Sequence, residues 1–269
     1  MSISLDPDGF NELRVCRTGP LIYNKNDIYI GGSSRKYGEF SWLEHELLKH
    51  LVRPGEIVVE AGANIGAHTV GVSRLVGATG GVIAFEPQRI VFQTLCANLA
   101  LNQCSNVYAF QQALGAADGE ITVPALDPRT RSNFGGISLT GVARGDKVPL
   151  RTVDGLGLPA CHLIKGDVEG MELDLVRGAL ATIKAYRPIL YLENDREEHS
   201  KSLLELLLSL DYAAYWHLPP LYNPDNFERD PENIFPGIVS LNVLCTPLEA
   251  KIPVAGLRRI VSPGDSWKI

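Results

Sequence analysis

Apolar positions along this chain fall into two alternating patterns. Short β-branched or aromatic runs at 57–59, 82–85, 107–110, 163–167 and 189–192 read as strands. Between them, apolar residues recur at helical spacing: Val72, Leu75 and Val76; Val91, Leu95 and Leu99; Leu173, Val176, Leu180 and Ile183; Leu203, Leu206, Leu207 and Leu210. The third set is expected as one helix. Two late strands are expected at 213–216 and 238–245. Such strand–helix alternation predicts a mostly parallel α/β sheet with helices on both faces. Ahead of it, short strands are expected at 13–16, 21–23 and 28–30, forming a β-hairpin cap, and a helix over 37–51 ending before Pro54-Gly55. The segments 121–123 and 148–150 read as short or edge strands, because Pro149 removes a ladder donor. The stretch 127–146 between them is rich in Gly, Arg, Asn and Ser and too long for a simple connection, so it reads as a lid.

The joints between strands and helices carry the chemistry. Strand 57–59 runs into Glu60, then Gly62 and Gly66 turn the chain into a helix. Gly62 lets the backbone approach a ligand, and Gly66 lets the helix start close to the strand. Twenty residues later the second strand ends in Glu86, where a carboxylate can accept the hydroxyl hydrogens of a ribose. The dinucleotide fingerprint Gly-x-Gly-x-x-Gly is absent, and Glu60 would repel a pyrophosphate. A cationic ligand suits that acid better: S-adenosylmethionine carries a sulfonium, an amine and a ribose. In parallel sheets ligands bind beyond the carboxyl ends of the strands, and those ends here carry Glu60, Glu86, Gln112, Asp167 and Glu193-Asn194.

The 269 residues suffice for one large α/β domain, with 45% hydrophobic residues and a formal charge of −6. No Lys/Arg block stands out, which argues against a nucleic-acid partner. Five scattered cysteines without C-x-x-C spacing indicate neither disulfides nor zinc. The N-terminus lacks the pattern of a signal peptide and no apolar run is long enough to span a bilayer, so the reading is a cytoplasmic protein.

The segments VVEAGANIGAHTV (58–70), GVIAFEPQ (81–88), CANLALN (96–102), SNFGGISL (132–139), LIKGDVEGMELDLVRGA (163–179) and RPILYLEN (187–194) resemble the FkbM-type S-adenosylmethionine-dependent methyltransferases. YWHLPPLYNPDNF (215–227) and ENIFPGIVSLNVLC (232–245) are similar to one branch of that family. Gly166 departs from the pattern, since a bulkier aliphatic residue is usual there. The resemblance implies a class I methyltransferase (Rossmann-like) fold: a seven-stranded, mostly parallel sheet with an antiparallel last strand, assigned to 238–245. It also implies O-methylation of a sugar, glycan or polyketide-like acceptor. The expected organisation is an N-terminal β-hairpin and helix extension over 1–50, a methyltransferase domain over 51–247 and a tail over 248–269.

For the cofactor, Glu60 and the backbone of Gly62, Ala63, Asn64 and Gly66 are assigned to the methionine end, Glu86 to the ribose, and Gln112-Ala113 to the adenine edge, with Asp167 also within reach. His68 and Thr69 either help hold the carboxylate or are plain helix positions. An alcohol needs its proton withdrawn, by a base or by a divalent cation. Asp167, Glu193 and Asn194 offer oxygens that suit Mg²⁺; without metal, Asp167 contacts the cofactor and Glu193 is a substrate-binding or basic carboxylate. Glu169 is either a base or a cap for the helix near Met171. His217 is either a titrating catalytic group or packing beside Trp216. Asn133, Asn194, Tyr222 and Asn226 are candidate acceptor contacts; for the last two the alternative is a turn sealing the sheet edge. The competing functions are a nicotinamide-dependent oxidoreductase and a non-catalytic binding module.

Overall fold

The computed structural model describes residues 2–4, 6, 8–139 and 141–268. Strands β1 (Ser2–Ser4), β2 (Asn11–Cys16) and β3 (Gly19–Asn24) form an antiparallel sheet. Helices α1 (Ile30–Tyr37) and α2 (Trp42–Leu51) follow. The strand expected at 28–30 is instead the turn that leads into α1. The Asp27 carboxylate accepts the N–H groups of Tyr29 and Ile30 at 2.9 and 3.0 Å and turns the chain there. The helix expected over 37–51 begins only at Trp42, because Gly38 takes a φ of +65° and ends α1 at Tyr37.

The main alternation is β4 (Ile57–Ala61), α3 (Thr69–Val76), β5 (Gly81–Phe85), α4 (Arg89–Leu101) and β6 (Val107–Phe110). A side sheet of β7 (Ala113–Leu114), β8 (Gly119–Val123) and β9 (Asp146–Arg151) comes next. The chain continues as β10 (Leu163–Gly166), α5 (Glu172–Arg177), α6 (Leu180–Tyr186), β11 (Ile189–Glu193) and α7 (Glu197–Ser209). It closes with β12 (Tyr212–His217), β13 (Asn242–Pro247) and β14 (Arg258–Ile260).

The central sheet has the order β14-β12-β13-β11-β10-β4-β5-β6. Neighbours from β11 to β6 pair in parallel, while β13 lies antiparallel between β11 and β12. This is the class I methyltransferase arrangement. Its sides bury different residues of the same strands. Val59 and Ile164 join the apolar layer of Leu175, Ile183 and Leu203. Val58 and Leu163 join that of Leu48, Val72 and Leu95.

Four further expectations are corrected. The sheet has eight strands among the described residues, not seven, because β14 pairs antiparallel with β12. The reversed strand is Asn242–Pro247 rather than 238–245; Val239 instead forms an isolated bridge with Pro220. Strand β9 is the middle of the side sheet, not an edge. Its pairing with β7 uses Leu150 and Arg151, beyond the proline that lacks a donor. The helix expected through Leu173–Ile183 is two helices, α5 and α6. Gly178 packs so closely that a Cβ would stand 2.0 Å from the Gly115 carbonyl oxygen, and Asp154 caps the N–H groups of Ala181 and Thr182. At Gly166 a Cβ would meet Leu175 at 2.4 Å and Leu192 at 2.8 Å, so leucines fill the volume a bulkier residue would take. No helix among the described residues is long and apolar enough to cross a membrane.

Candidate functional site

The carboxyl ends of β4, β5, β10 and β11 open into a cavity of about 410 Å³. Its floor is set by close crossings of the strand-end loops. Gly62 has φ +79°, and a Cβ there would lie 1.7 Å from the Asp167 carbonyl oxygen, so no side chain is admissible. Glu86, at the end of β5, is clamped by two backbone donors. The Asn64 N–H reaches Oε2 at 2.9 Å and the Gln88 N–H reaches Oε1 at 2.8 Å. Burial nevertheless pushes this carboxyl up to about 7, against the two N–H groups.

Glu60 is 1% exposed, and its Oε2 has no hydrogen-bond partner among the described residues. Burial raises its pKa and the Lys165 ammonium lowers it. Lys165 is buried on β10 directly across from Glu60 and stands 4.0 Å from Asp167 Oδ2. Beyond it, Asp167, Glu169 and Glu193 each bring an oxygen within 4.8 Å of the others. Burial, then Asp167 and Glu169, push Glu193 well above the usual carboxylate range. Glu169 is pushed to about 8 by burial and Asp167, against Arg196. It occupies the left-handed region with φ +55°, and Arg196 donates to it at 2.7 Å while pairing with Asp195 at 3.3 Å. Tyr29, Phe40, Leu221, Ile238 and Val239 add apolar lining to the same cavity. The loop after β8 closes over the top. Its Phe134 is buried, and the Gly136 N–H donates to Asn133 Oδ1 at 3.0 Å.

Of the residues singled out in the sequence, the cavity is lined by Glu60, Gly62, Ala63, Asn64, His68, Glu86, Gln112, Ala113, Asn133, Asp167, Glu169 and Glu193. Gly66 lies behind it, against Leu95, and Thr69 is fully buried in α3. Asn194 is buried, its amide donates to Ser200 at 3.0 Å and it does not line the cavity, whereas Glu169 converges with Asp167 and Glu193. His217 Nδ1 lies 2.9 Å from the Tyr191 hydroxyl, outside the cavity lining. Tyr222 packs at a tilt against Tyr37, ring centroids 5.3 Å apart, and the Asn226 amide donates to the carbonyls of Asn223 and Asp230, holding a turn. The start of α5 has no side-chain cap: Glu172 Oε1 accepts the N–H groups of Val168 and Gly170 in the turn before the helix, and Glu169 lines the cavity. Lys165, Glu44, Asp195 and Arg196 also line the cavity and were not singled out. A lysine inside a buried strand was a visible signal. Glu44 gave none, since α2 is brought to the site only by the fold.

The FkbM methyltransferase domain matches residues 60–215. A curated protein called Methyltransferase 1, from Beauveria bassiana (strain ARSEF 2860), is 31% identical over 143 residues, covering 45% of this chain and 57% of that protein. Among solved structures, a methyltransferase FkbM from Methylobacillus flagellatus KT is 22% identical, with a TM-score of 0.48, over 76% of this chain and 50% of its own. A SAM-dependent O-methyltransferase from Thermotoga maritima is 15% identical, with a TM-score of 0.46, over 77% of this chain and 64% of its own. The chain thus spans only about half the length of the first two relatives. The matched segment is more than half of the 269 residues and runs from Glu60 through the end of β11 and beyond. The chain belongs to the FkbM methyltransferase domain family.

Proposed function

We propose that this protein is an S-adenosylmethionine-dependent methyltransferase acting on a hydroxyl oxygen of a sugar, glycan or polyketide-like acceptor. The observation that carries this reading is the pair of buried carboxylates, Glu60 and Glu86, on either side of the Gly62 turn. The residues present fit such a cofactor. Glu60 keeps an unpartnered buried oxygen suited to an amine, and Glu86 has both oxygens fixed by backbone donors while retaining lone pairs for ribose hydroxyls. The backbone of Gly62–Asn64 and the Gln112-Ala113 edge complete the holding set. When bound, the cofactor supplies an electrophilic methyl group on a sulfonium.

The chain's own contribution is alignment and proton removal. Once ionised, Glu169, whose charge Arg196 offsets, or Glu193 beside it accepts the acceptor's hydroxyl proton. Asn133 and the apolar lining orient the acceptor. A divalent cation would use Asp167, Glu169 and Glu193, but the Arg196 guanidinium already compensates Glu169, which favours the metal-free reading. Carboxylates outnumber basic groups along the cavity, so a small acceptor fits better than a nucleic acid. Calorimetric titration tests the cofactor assignment. S-adenosylhomocysteine is expected to bind and NAD not to; binding of NAD alone would favour an oxidoreductase. Turnover that persists in excess EDTA would support the metal-free route.

A further inference from the structure

The reading above leaves Lys165 without a role, although a buried ammonium in the middle of a sheet is costly. Strand β10 pairs in parallel with β4 so that Lys165 stands opposite Glu60. Directly paired residues project to the same face, and both side chains line the cavity. Glu60 is 1% and Lys165 4% exposed, so solvent does little to screen either charge. Glu60 Oε2 has no hydrogen-bond partner among the described residues. Lys165 is 4.0 Å from Asp167, an ion pair beyond hydrogen-bond reach.

We propose that Glu60 and Lys165 form a paired receptor for the α-amino-acid head group of the cofactor, Glu60 taking the ammonium and Lys165 the carboxylate. The proposal rests on the cofactor reading given above. Opposite charges side by side match a zwitterion and match neither a phosphate, which Glu60 would repel, nor a lone amine, which Lys165 would repel. Burial works against the charge on Lys165, but Asp167, Glu60, Glu44 and Glu193 together keep it cationic, so it acts as a donor and not as a base. Glu44 reaches this group from α2, which makes the N-terminal segment part of the receptor's electrostatics.

The test compares three probes by calorimetry. S-adenosylhomocysteine has the whole head group, 5′-methylthioadenosine has none, and decarboxylated S-adenosylmethionine keeps only the amine. Lys165→Met and the isosteric Glu60→Gln should each weaken S-adenosylhomocysteine about tenfold or more, the scale of a charge-assisted hydrogen bond. Both should leave 5′-methylthioadenosine within about twofold, which also shows that the variants are folded. The decarboxylated probe should be weakened by Glu60→Gln and not by Lys165→Met. Equal losses for S-adenosylhomocysteine and 5′-methylthioadenosine, or no loss, would overturn the receptor. A decarboxylated probe weakened by Lys165→Met would remove the carboxylate contact. Equal wild-type affinities for the two nucleosides would sink this proposal alone, whereas failure of both to bind would also sink the reading beneath it.

Discussion

Glu86 shows how a single side chain is prepared for a ligand. Its two oxygens are held by backbone donors from the turns after β4 and β5, so a ribose would meet a carboxylate that is already oriented. Glu86→Ala is expected to weaken S-adenosylhomocysteine and 5′-methylthioadenosine alike, by roughly 1–3 kcal/mol, which calorimetry would measure. The buried acids also set a pH dependence for the ligand-free protein. Glu86 and Glu172 are raised to about 7 and Glu169 to about 8. With folded pKa values above the unfolded ones, the native state binds more protons, so stability falls as pH rises through these values. Buried His45 and His68, lowered to about 4 and about 3, work in the opposite direction, but only below their unfolded value of 6.5. The melting temperature should therefore drop between about pH 6.5 and 8. Glu169→Gln should flatten that slope, and an unchanged slope would show that Glu169 does not hold a proton there. The strand-end acids were legible because each follows a short apolar run. That His217 bonds Tyr191 was not, since it depends on where side chains on two separate strands come to rest.

Elements show the same division between local and distant causes. The break between α5 and α6 comes from Gly178 touching Gly115, a residue on another segment, so helical periodicity ran straight through it. Gly178→Ala, at an ordinary φ of −77°, should destabilise by about 1–3 kcal/mol through overpacking, measured by denaturant unfolding. The loop over the cavity is also tethered from afar. Asn24 and Asn26 both donate to the Pro128 carbonyl, and the Ile28 N–H donates to Ser132 at 3.0 Å. Its first half is thereby fastened to the N-terminal sheet, while Arg144 lies exposed in the second half. Limited trypsin digestion should cut at Arg144 before Arg129 or Arg131, and replacing Asn24 and Asn26 by Ala should bring the latter cuts forward. Simultaneous cutting at all three sites in the wild-type protein would mean the tether is ineffective.

At the scale of the whole molecule, β14 extends the sheet beyond β12 and covers an edge that would otherwise be open. Asp265 pairs with Arg258 at 2.6 Å and accepts from the Trp216 indole at 3.3 Å, and Trp267 packs edge-on against Trp216 at 5.6 Å. Removing residues 257–269 should lower the melting temperature by roughly 5 °C and leave S-adenosylhomocysteine affinity unchanged, since none of the described residues in that segment lines the cavity. The sequence by itself determined the βα alternation, the glycine turn after β4 and the acids at the strand ends. Those features are written in residues within a few positions of one another, where periodicity and backbone freedom act. Only the tertiary structure decided that β13 inserts antiparallel between β11 and β12, that Glu169 gathers with Asp167 and Glu193 while the Asn194 amide turns to Ser200, and that Lys165 faces Glu60. Those outcomes rest on packing and charge between residues tens to more than a hundred positions apart, whose separation in space no local pattern encodes.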